Sequence, residues 1–370
     1  MENNKEKRVL IVCTTDSMIT NFLIPHINEL KNKGFIVECA CSRTGPFFDV
    51  LTMKHGLIVH DIGCSRSPFS LKTFSAYKKL LKIIKNGNFH ILFCHEPVGG
   101  LLGRLAGHKL KTKVVYMAHG FHFYKGAPKK RIIYYLVEKF LSRYTDTLVT
   151  INKEDYECAL HKFYAKKCIK VDGVGVDTSK FVINRTDFLR TELALKQNSL
   201  ILLSVGELIK RKNHIAIIKS LSKHKDVDLI YAVAGEGKLR KWLSKMINKF
   251  GLNGRVFLLG YRSDINALCN SADVFVLPSI HEGLSVALME AMACGLPVVA
   301  SQIRGNVDLV DNDLGGFLVK TNDSEGYFNS FAKLLDSDVR QRLGNYNKSK
   351  IKKFDISIIK EQISKLFDEL

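Results

Sequence analysis

No stretch of the 370 residues approaches the roughly 20 consecutive apolar residues that a helix needs to cross a bilayer. Runs such as Val274 to Leu277 have the length of strands, so membrane contact is expected to be peripheral. The start, MENNKEKRVLIVC, sets charge directly before a short apolar strand. It lacks the longer apolar stretch and small-residue cleavage site of a signal peptide, and export by that route is not expected. Cysteine is present but unorganised. Nine cysteines, at 13, 39, 41, 64, 94, 158, 168, 269 and 294, form no CxxC pair and no His/Cys cluster at zinc spacing. They read as reduced thiols of a cytosolic protein. There is also no low-complexity linker and no convincing short repeat.

What is present is ordinary globular composition, 46% hydrophobic and 25% charged, in a chain long enough for two cores. The formal charge of +20 implies attraction to something anionic: nucleic acid, nucleotide phosphate or an acidic membrane leaflet. Residues 1–180 hold 29 Lys and Arg against 15 Asp and Glu, and the remainder 27 against 21, so the excess lies in the first half.

Short β-branched runs alternate with helix-length amphipathic segments, the mark of βαβ units around a parallel sheet. Strands are expected at Arg8 to Cys13, Phe35 to Cys41, Leu57 to Asp61, His90 to Cys94, Lys113 to Ala118 and Thr147 to Ile151. Helices are expected at Phe22 to Lys33, Leu71 to Lys85 and Lys129 to Tyr144. The pattern restarts after the loop Val171 to Asp177. Strands are expected there at Leu200 to Val205, Asp228 to Ala234, Arg255 to Leu259, Asp273 to Leu277 and Pro297 to Ala300, with helices at His214 to Ser222, Leu239 to Phe250 and Ser285 to Ala293. The expectation is an α/β chain of two doubly wound Rossmann-like domains, 1–180 and 181–355, facing each other across a cleft. A terminal helix over 356–370 is expected to pack back on the first domain. Ligands of such sheets sit outside the carboxyl ends of the strands, so candidate residues should lie in the loops just after them.

After Leu200 to Val205 come Gly206 and the basic run Lys210, Arg211, Lys212, Asn213. The run fits a pyrophosphate grip, but also a solvated basic turn. Gly235 and Gly237 frame a lone GxG, which by itself could be only a tight strand-to-helix turn. Pro278-Ser279-Ile280-His281-Glu282-Gly283 leads to a helix beginning near Ser285, whose free amides and dipole suit an anion. Glu282 and Glu290, eight residues apart, are expected on one side of that helix, about 12 Å apart along its axis. Glu290, in mostly apolar surroundings, is a costly residue to bury without a partner. His119 follows a strand within YMAHGFHFY, placed for a cleft, although a lone histidine is more often structural. Lys125 to Tyr144 mixes lysine and arginine with aromatics, a combination that suits a membrane-surface helix as well as a merely soluble one. The triplets Asp226-Val227-Asp228 and Asp311-Asn312-Asp313 read as structural, and no metal or other cofactor is expected.

Together SVGELIKRKNH from Ser204, AGEGKL from Ala234, LLGYRSDI from Leu258, ADVFVLPSIHEGLSVALMEAMACGLPVVAS from Ala272 and VGVD ending at Asp177 resemble glycosyltransferase family 4, the retaining glycosyltransferases of GT-B fold. AHGFHFYKGAP from Ala118 is similar to the bacterial branch that makes capsular and exopolysaccharides. The resemblance spans nearly the whole chain. It implies that Glu282 lies near the donor sugar, Glu290 binds the ribose hydroxyls, Lys212 binds the donor diphosphate and His119 contacts the transferred sugar. It further implies that Gly260 and Tyr261 offer backbone groups to the nucleobase, and that amides around Gly283, Leu284 and Ser285 complete the phosphate site. Two positions depart from the family. Glu207 stands where many members have arginine, leaving Arg211 as the candidate second cation, and Thr14-Thr15-Asp16-Ser17 replaces a glycine-rich first loop.

The implied reaction moves a sugar from a nucleotide-sugar, with UDP as the expected carrier, by front-face retention. The implied acceptor is a sugar on undecaprenyl diphosphate, on the anionic inner leaflet, where the basic first half would hold the enzyme. A sugar-nucleotide epimerase, also built of two Rossmann-like domains, is one alternative. A basic nucleic-acid-binding protein is another, but no recognised module supports it.

Overall fold

The computed structural model describes residues 7–370. The chain forms two compact units, one of residues up to Val174 together with Ile356–Leu370, the other Gly175–Asp355.

In the first unit seven parallel strands run in the order β3-β2-β1-β4-β5-β6-β7. They are β1 (Arg8–Thr15), β2 (Ile36–Ser42), β3 (Val59–Asp61), β4 (Ile91–His95), β5 (Lys113–Ala118), β6 (Thr147–Thr150) and β7 (Lys167–Lys170). The central strands are covered on both faces, so β1 and β4 read as near-continuous apolar runs rather than alternating ones. Four helices matter below: α1 (Ile24–Asn32), α2 (Leu71–Gly87), α3 (Pro97–Leu110) and α4 (Ile132–Leu141). α2 starts where the Ser70 hydroxyl accepts from Lys72 N and stops at Asn88, whose φ of 48° is left-handed. α3 presents glycines to the sheet. A Cβ on Gly100 would lie 2.3 Å from the Tyr116 ring, and one on Gly103 2.2 Å from Cys94 Sγ. The helix can therefore approach β4 and β5 this closely only without side chains at those positions.

Six parallel strands form the second sheet, in the order β10-β9-β8-β11-β12-β13. They are β8 (Leu200–Val205), β9 (Leu229–Ala234), β10 (Val256–Gly260), β11 (Val274–Leu277), β12 (Val298–Ser301) and β13 (Gly316–Val319). The helices α5 (Ile215–Lys223), α6 (Arg240–Lys249) and α7 (Val286–Ala293) follow β8, β9 and β11. In both sheets strand order reverses beside the first strand, at β1/β4 and at β8/β11, and these are the positions where doubly wound sheets bind ligands.

Several expectations need correction. The strands β7 and β13 were not expected; each is four residues long and lies at a sheet edge. β3 is shorter than expected, since 57–58 lie outside it, and the expected helix at 22–33 is α-helical only from Ile24 to Asn32.

The helix Ile356–Asp368 belongs to the first unit and packs on α1. Phe367, fully buried, meets Phe93 and Phe35 edge-on at centroid distances of 5.2 and 6.0 Å. Lys360 pairs with Glu29 at 3.1 Å and Lys33 with Asp368 at 2.6 Å. Replacing a buried phenylalanine by alanine removes its transfer energy and leaves a cavity. Phe367→Ala should therefore cost the first unit roughly 3–5 kcal/mol, read as faster hydrogen exchange of the β4 amides with those of β11 unchanged.

Candidate functional site

The loops after β8 and β9 pack backbone on backbone. A Cβ on Gly235 would sit 2.0 Å from Gly206 O, and one on Gly237 2.6 Å from Leu208 O, so only glycine fits either place. A Cβ on Gly206 would come within 3.0 Å of Lys212 Cε, so the space left there is taken by the lysine stem. Lys212 closes a short 3-10 turn, Lys210–Lys212, and is 9% exposed, so it is not itself a solvated turn residue, while Lys210 is exposed. Asn213 follows at a left-handed φ of 54°, its amide donating to Pro278 O and Thr321 O at 3.1 Å each. It joins the β8 loop to the loop after β11.

Glu282 lies in that second loop, 7% exposed. Lys212 Nζ donates to its Oε1 and Arg211 Nη1 to its Oε2, both at 2.8 Å. Burial pushes this carboxyl upward, but the Lys212 and Arg211 charges outweigh burial and hold it at about 2. Two cations share one carboxylate, leaving positive charge in excess. Arg304, after β12, donates from Nε to Glu282 O at 3.2 Å, and Gly305 lets its loop close, since a Cβ there would lie 2.2 Å from Gly283 O.

The structure corrects the expected placement of Glu282 and Glu290 on one helix. α7 begins at Val286 with Ser285 as its N-cap, the Ser285 hydroxyl accepting from Leu288 N at 3.4 Å. Glu282 is therefore in the loop before the helix, and its spacing to Glu290 is not helical. The chain reaches α7 through Gly283 and Leu284, and the first-turn amides of α7 have no intrahelical acceptor. Glu290 sits half-buried on α7, with no hydrogen bond or ion pair from its carboxylate among the described residues. Burial raises it to about 7, with Lys180 opposing. Gly260 O accepts from Gly235 N at 2.7 Å and is thus already engaged, while the Tyr261 side chain is exposed. Arg304 does not stand out in the sequence, and Asn213 reads there only as the end of the basic run. The positive φ of Asn213 and the backbone contact of Arg304 leave no local signature.

In the first unit His119, just past β5, lies against fully buried His95 at the end of β4, with His95 Nδ1 and His119 Nε2 3.0 Å apart. Burial and then the nearby His26 lower His119 to about 3, and burial, with His119 and His26 beside it, also holds His95 well below the ordinary imidazole range. Both imidazoles are neutral at physiological pH, so His119 offers hydrogen bonds rather than an acidic proton. The aromatics that follow are packing residues: Phe121 and Phe123 stack at 4.9 Å, and both meet Phe163. Phe121 N donates to Asp155 Oδ2 at 3.0 Å and Arg131 Nη1 to His122 O at 3.0 Å, pinning the loop.

The Asp-x-Asp triplets are engaged within the fold. Asp228 accepts from Ser199 at 2.8 Å, while Asp311 accepts from Tyr346 at 2.5 Å and pairs with Lys350 at 2.9 Å. No group of three or more His, Cys, Asp or Glu placed to hold a metal occurs among the described residues.

Two family models match the chain, Glycosyl transferases group 1 over residues 185–350 and Glycosyl transferase 4-like over residues 8–152. EpsD of Bacillus subtilis, a protein named as a provisional glycosyltransferase, is 33% identical over 98% of this chain and 96% of its own length. The chain belongs to glycosyltransferase family 4. The glycosyltransferase is also 31% identical, over 87% of its length and 86% of the relative's, to the UDP-Gal:alpha-D-GlcNAc-diphosphoundecaprenol alpha-1,3-galactosyltransferase of Escherichia coli. Its fold matches the crystal structure of Anabaena Alr3699/HepE with UDP and glucose at a TM-score of 0.84 and 19% identity, covering 99% of this chain and all of that one. The two parallel α/β sheets are those of the GT-B fold.

The Glu282 cluster makes a stability prediction. A carboxyl held at about 2 when folded, against an ordinary value near 4.5, stabilises the fold above pH 4.5 and loses that contribution as pH falls toward 2. The loss from this group is on the order of 3 kcal/mol. Glu282→Gln should be less stable than the native enzyme at pH 7, and the gap should close at pH 2–3 in urea titrations.

Proposed function

We propose that this glycosyltransferase moves a sugar from a UDP-sugar, with retention at the anomeric carbon, to a sugar carried on a lipid diphosphate during assembly of a bacterial surface polysaccharide. The carrying observation is the switch point β8/β11, where Lys212, Arg211 and the N-terminus of α7 set positive charge beside strand-end loops that their glycines pack tightly together. The relatives support the substrate classes. One is named for a UDP-galactose donor and a diphosphoundecaprenol-linked acceptor, and a Campylobacter jejuni relative, 26% identical over 75% of this chain, is named for a diphospho-undecaprenol acceptor and N-acetylgalactosamine transfer.

Breaking the anomeric bond leaves cationic character on the sugar and a negative diphosphate. Lys212, Arg211 and the amides at Gly283, Leu284 and Ser285 stabilise that diphosphate as it departs, and no metal is required for the task. Glu282 keeps both cations aimed and lies beside the sugar. The diphosphate takes the proton of the acceptor hydroxyl, so retention needs no protein nucleophile. His119, neutral, donates or accepts a hydrogen bond with the transferred sugar. Backbone groups of Gly260 and Tyr261 other than the engaged Gly260 carbonyl meet the base.

Glu290 binds the ribose. A carboxyl at about 7 without a partner is half protonated near neutrality, and two ribose hydroxyls that donate to it favour its charged form. Donor binding then releases a proton, and affinity should rise several-fold from pH 6 to pH 8. Calorimetry with UDP-sugars, whose phosphates do not titrate in that range, should show this slope for the native enzyme and none for Glu290→Gln. Lys212→Ala should lower kcat by roughly 100-fold or more, and activity should survive EDTA.

The first unit carries the surface suited to a lipid-borne acceptor. No described helix is long and apolar enough to cross a membrane, but α4 is apolar on the outside. Its only acidic residue, Glu138, is buried in an ion pair with fully buried Arg104 at 2.8 Å, whereas Ile132, Ile133, Leu136 and Phe140 are each more than half exposed. Exposed Lys129 and Lys130 precede it. Apolar insertion with flanking cations is the pattern of a peripheral helix on an anionic leaflet. Arg131 is occupied with His122, so the test spares it: Lys129→Glu with Lys130→Glu should reduce flotation with phosphatidylglycerol vesicles by about tenfold. Unchanged flotation would remove this part of the proposal.

A further inference from the structure

The reaction joins two substrates, and the second unit's switch point has the features of the nucleotide site. The corresponding place in the first unit lies between the ends of β1 and β4, where one residue breaks a backbone rule. Glu96, directly after β4, has φ 60° and ψ 160°, a region populated almost solely by glycine. Holding a residue with a Cβ there costs about 1–3 kcal/mol, and such strain persists where the surroundings over-determine it.

The surroundings are the end of β1. Glu96 Oε2 accepts from Thr14 N at 2.8 Å and Thr15 N at 3.1 Å, and Gly99 N, in the first turn of α3, donates to Thr14 Oγ1 at 3.1 Å. Paired strand-end amides beside a helix N-terminus at a switch point would ordinarily attract an anion. Here the protein's own carboxylate fills that position, so a phosphate is both displaced and repelled. The other carboxylate oxygen is nearly unused: Oε1 has a single long contact, from Thr15 Oγ1 at 3.4 Å. Glu96 is partly exposed. Burial raises the carboxyl, while the amides of Thr15 and Thr14 and the charge of Arg66 pull it back.

We propose that Glu96 determines acceptor specificity, its Oε1 accepting a hydrogen bond from a hydroxyl of the neutral sugar that receives the transferred residue, while the filled amides keep the acceptor's phosphates out of this crevice. The assignment rests on the glycosyltransfer reading above. It selects a neutral hydroxyl-bearing ring over a phosphorylated one at the β1/β4 end.

Two full-length variants test it. In Glu96→Gln the side-chain carbonyl can still satisfy both amides, but the outward atom becomes an N–H donor. With undecaprenyl-diphosphate-linked N-acetylglucosamine as acceptor probe, its acceptor KM should rise roughly tenfold or more, with the dissociation constant for UDP unchanged. In Glu96→Gly the amides are emptied, and inorganic phosphate should raise the melting temperature of this variant but not that of the native enzyme. A native acceptor KM in Glu96→Gln, a matching loss of UDP affinity, or no phosphate response in Glu96→Gly would each overturn the proposal. If the native enzyme itself binds no UDP, the donor reading fails instead, and the phosphate arm still reports whether Glu96 fills an anion position.

Discussion

A buried carboxylate between two cations organises the second unit. Glu282 could not be buried alone, since an unpaired charge in that position would protonate or force the loop open. Lys212 and Arg211 allow its burial, and in turn the loops after β8 and β11 are tied together, with Asn213 bridging to Thr321 and Arg304 closing from β12. The strand-end glycines belong to the same constraint, because Lys212 reaches Glu282 only through the space beside Gly206. What looks from one side like a salt bridge is from the other a pair of cations held in place with little reorganisation left to undergo.

The protonation states divide the candidate residues by task. Glu282 is ionised across all ordinary pH, and His119 is neutral across it. Glu290 alone among these three titrates near 7. The first two therefore hold a constant charge state, and under the proposed donor reading Glu290 would couple occupancy to pH. Nothing in this division needs an acid–base pair at the reaction centre, consistent with a transfer in which the leaving diphosphate handles the proton.

Much of this was legible in the sequence because parallel, doubly covered strands read as continuous apolar runs and because the loops that follow them carry glycine and charge. The central strands were placed to within a residue or two. The edges were harder. Lys167–Lys170 and Gly316–Val319 are short and flanked by polar residues, and α3 hides behind four glycines that lower helix propensity but let it sit against the sheet. At the site, Lys212, Arg211 and Glu282 were visible as residue types, but their mutual pairing was not, since it joins positions some 70 residues apart. Spacing along the chain suggested a shared helix for Glu282 and Glu290, whereas the Ser285 cap starts that helix only afterwards. Glu96 gave no signal at all, because a strained backbone angle has no signature in residue identity.

The helix Ile356–Asp368 has a consequence for biosynthesis. It fills the core of the first unit, through Phe367 against Phe93 and Phe35, yet it is translated after the whole of the second unit. The order of synthesis and the order of completion are therefore reversed. The unit begun first must wait on the ribosome with an apolar groove open beside α1, while the unit begun second can close as soon as it emerges. A nascent chain of this enzyme is thus most vulnerable to chaperone capture and aggregation in its first unit, until the helix Ile356–Asp368 has been made.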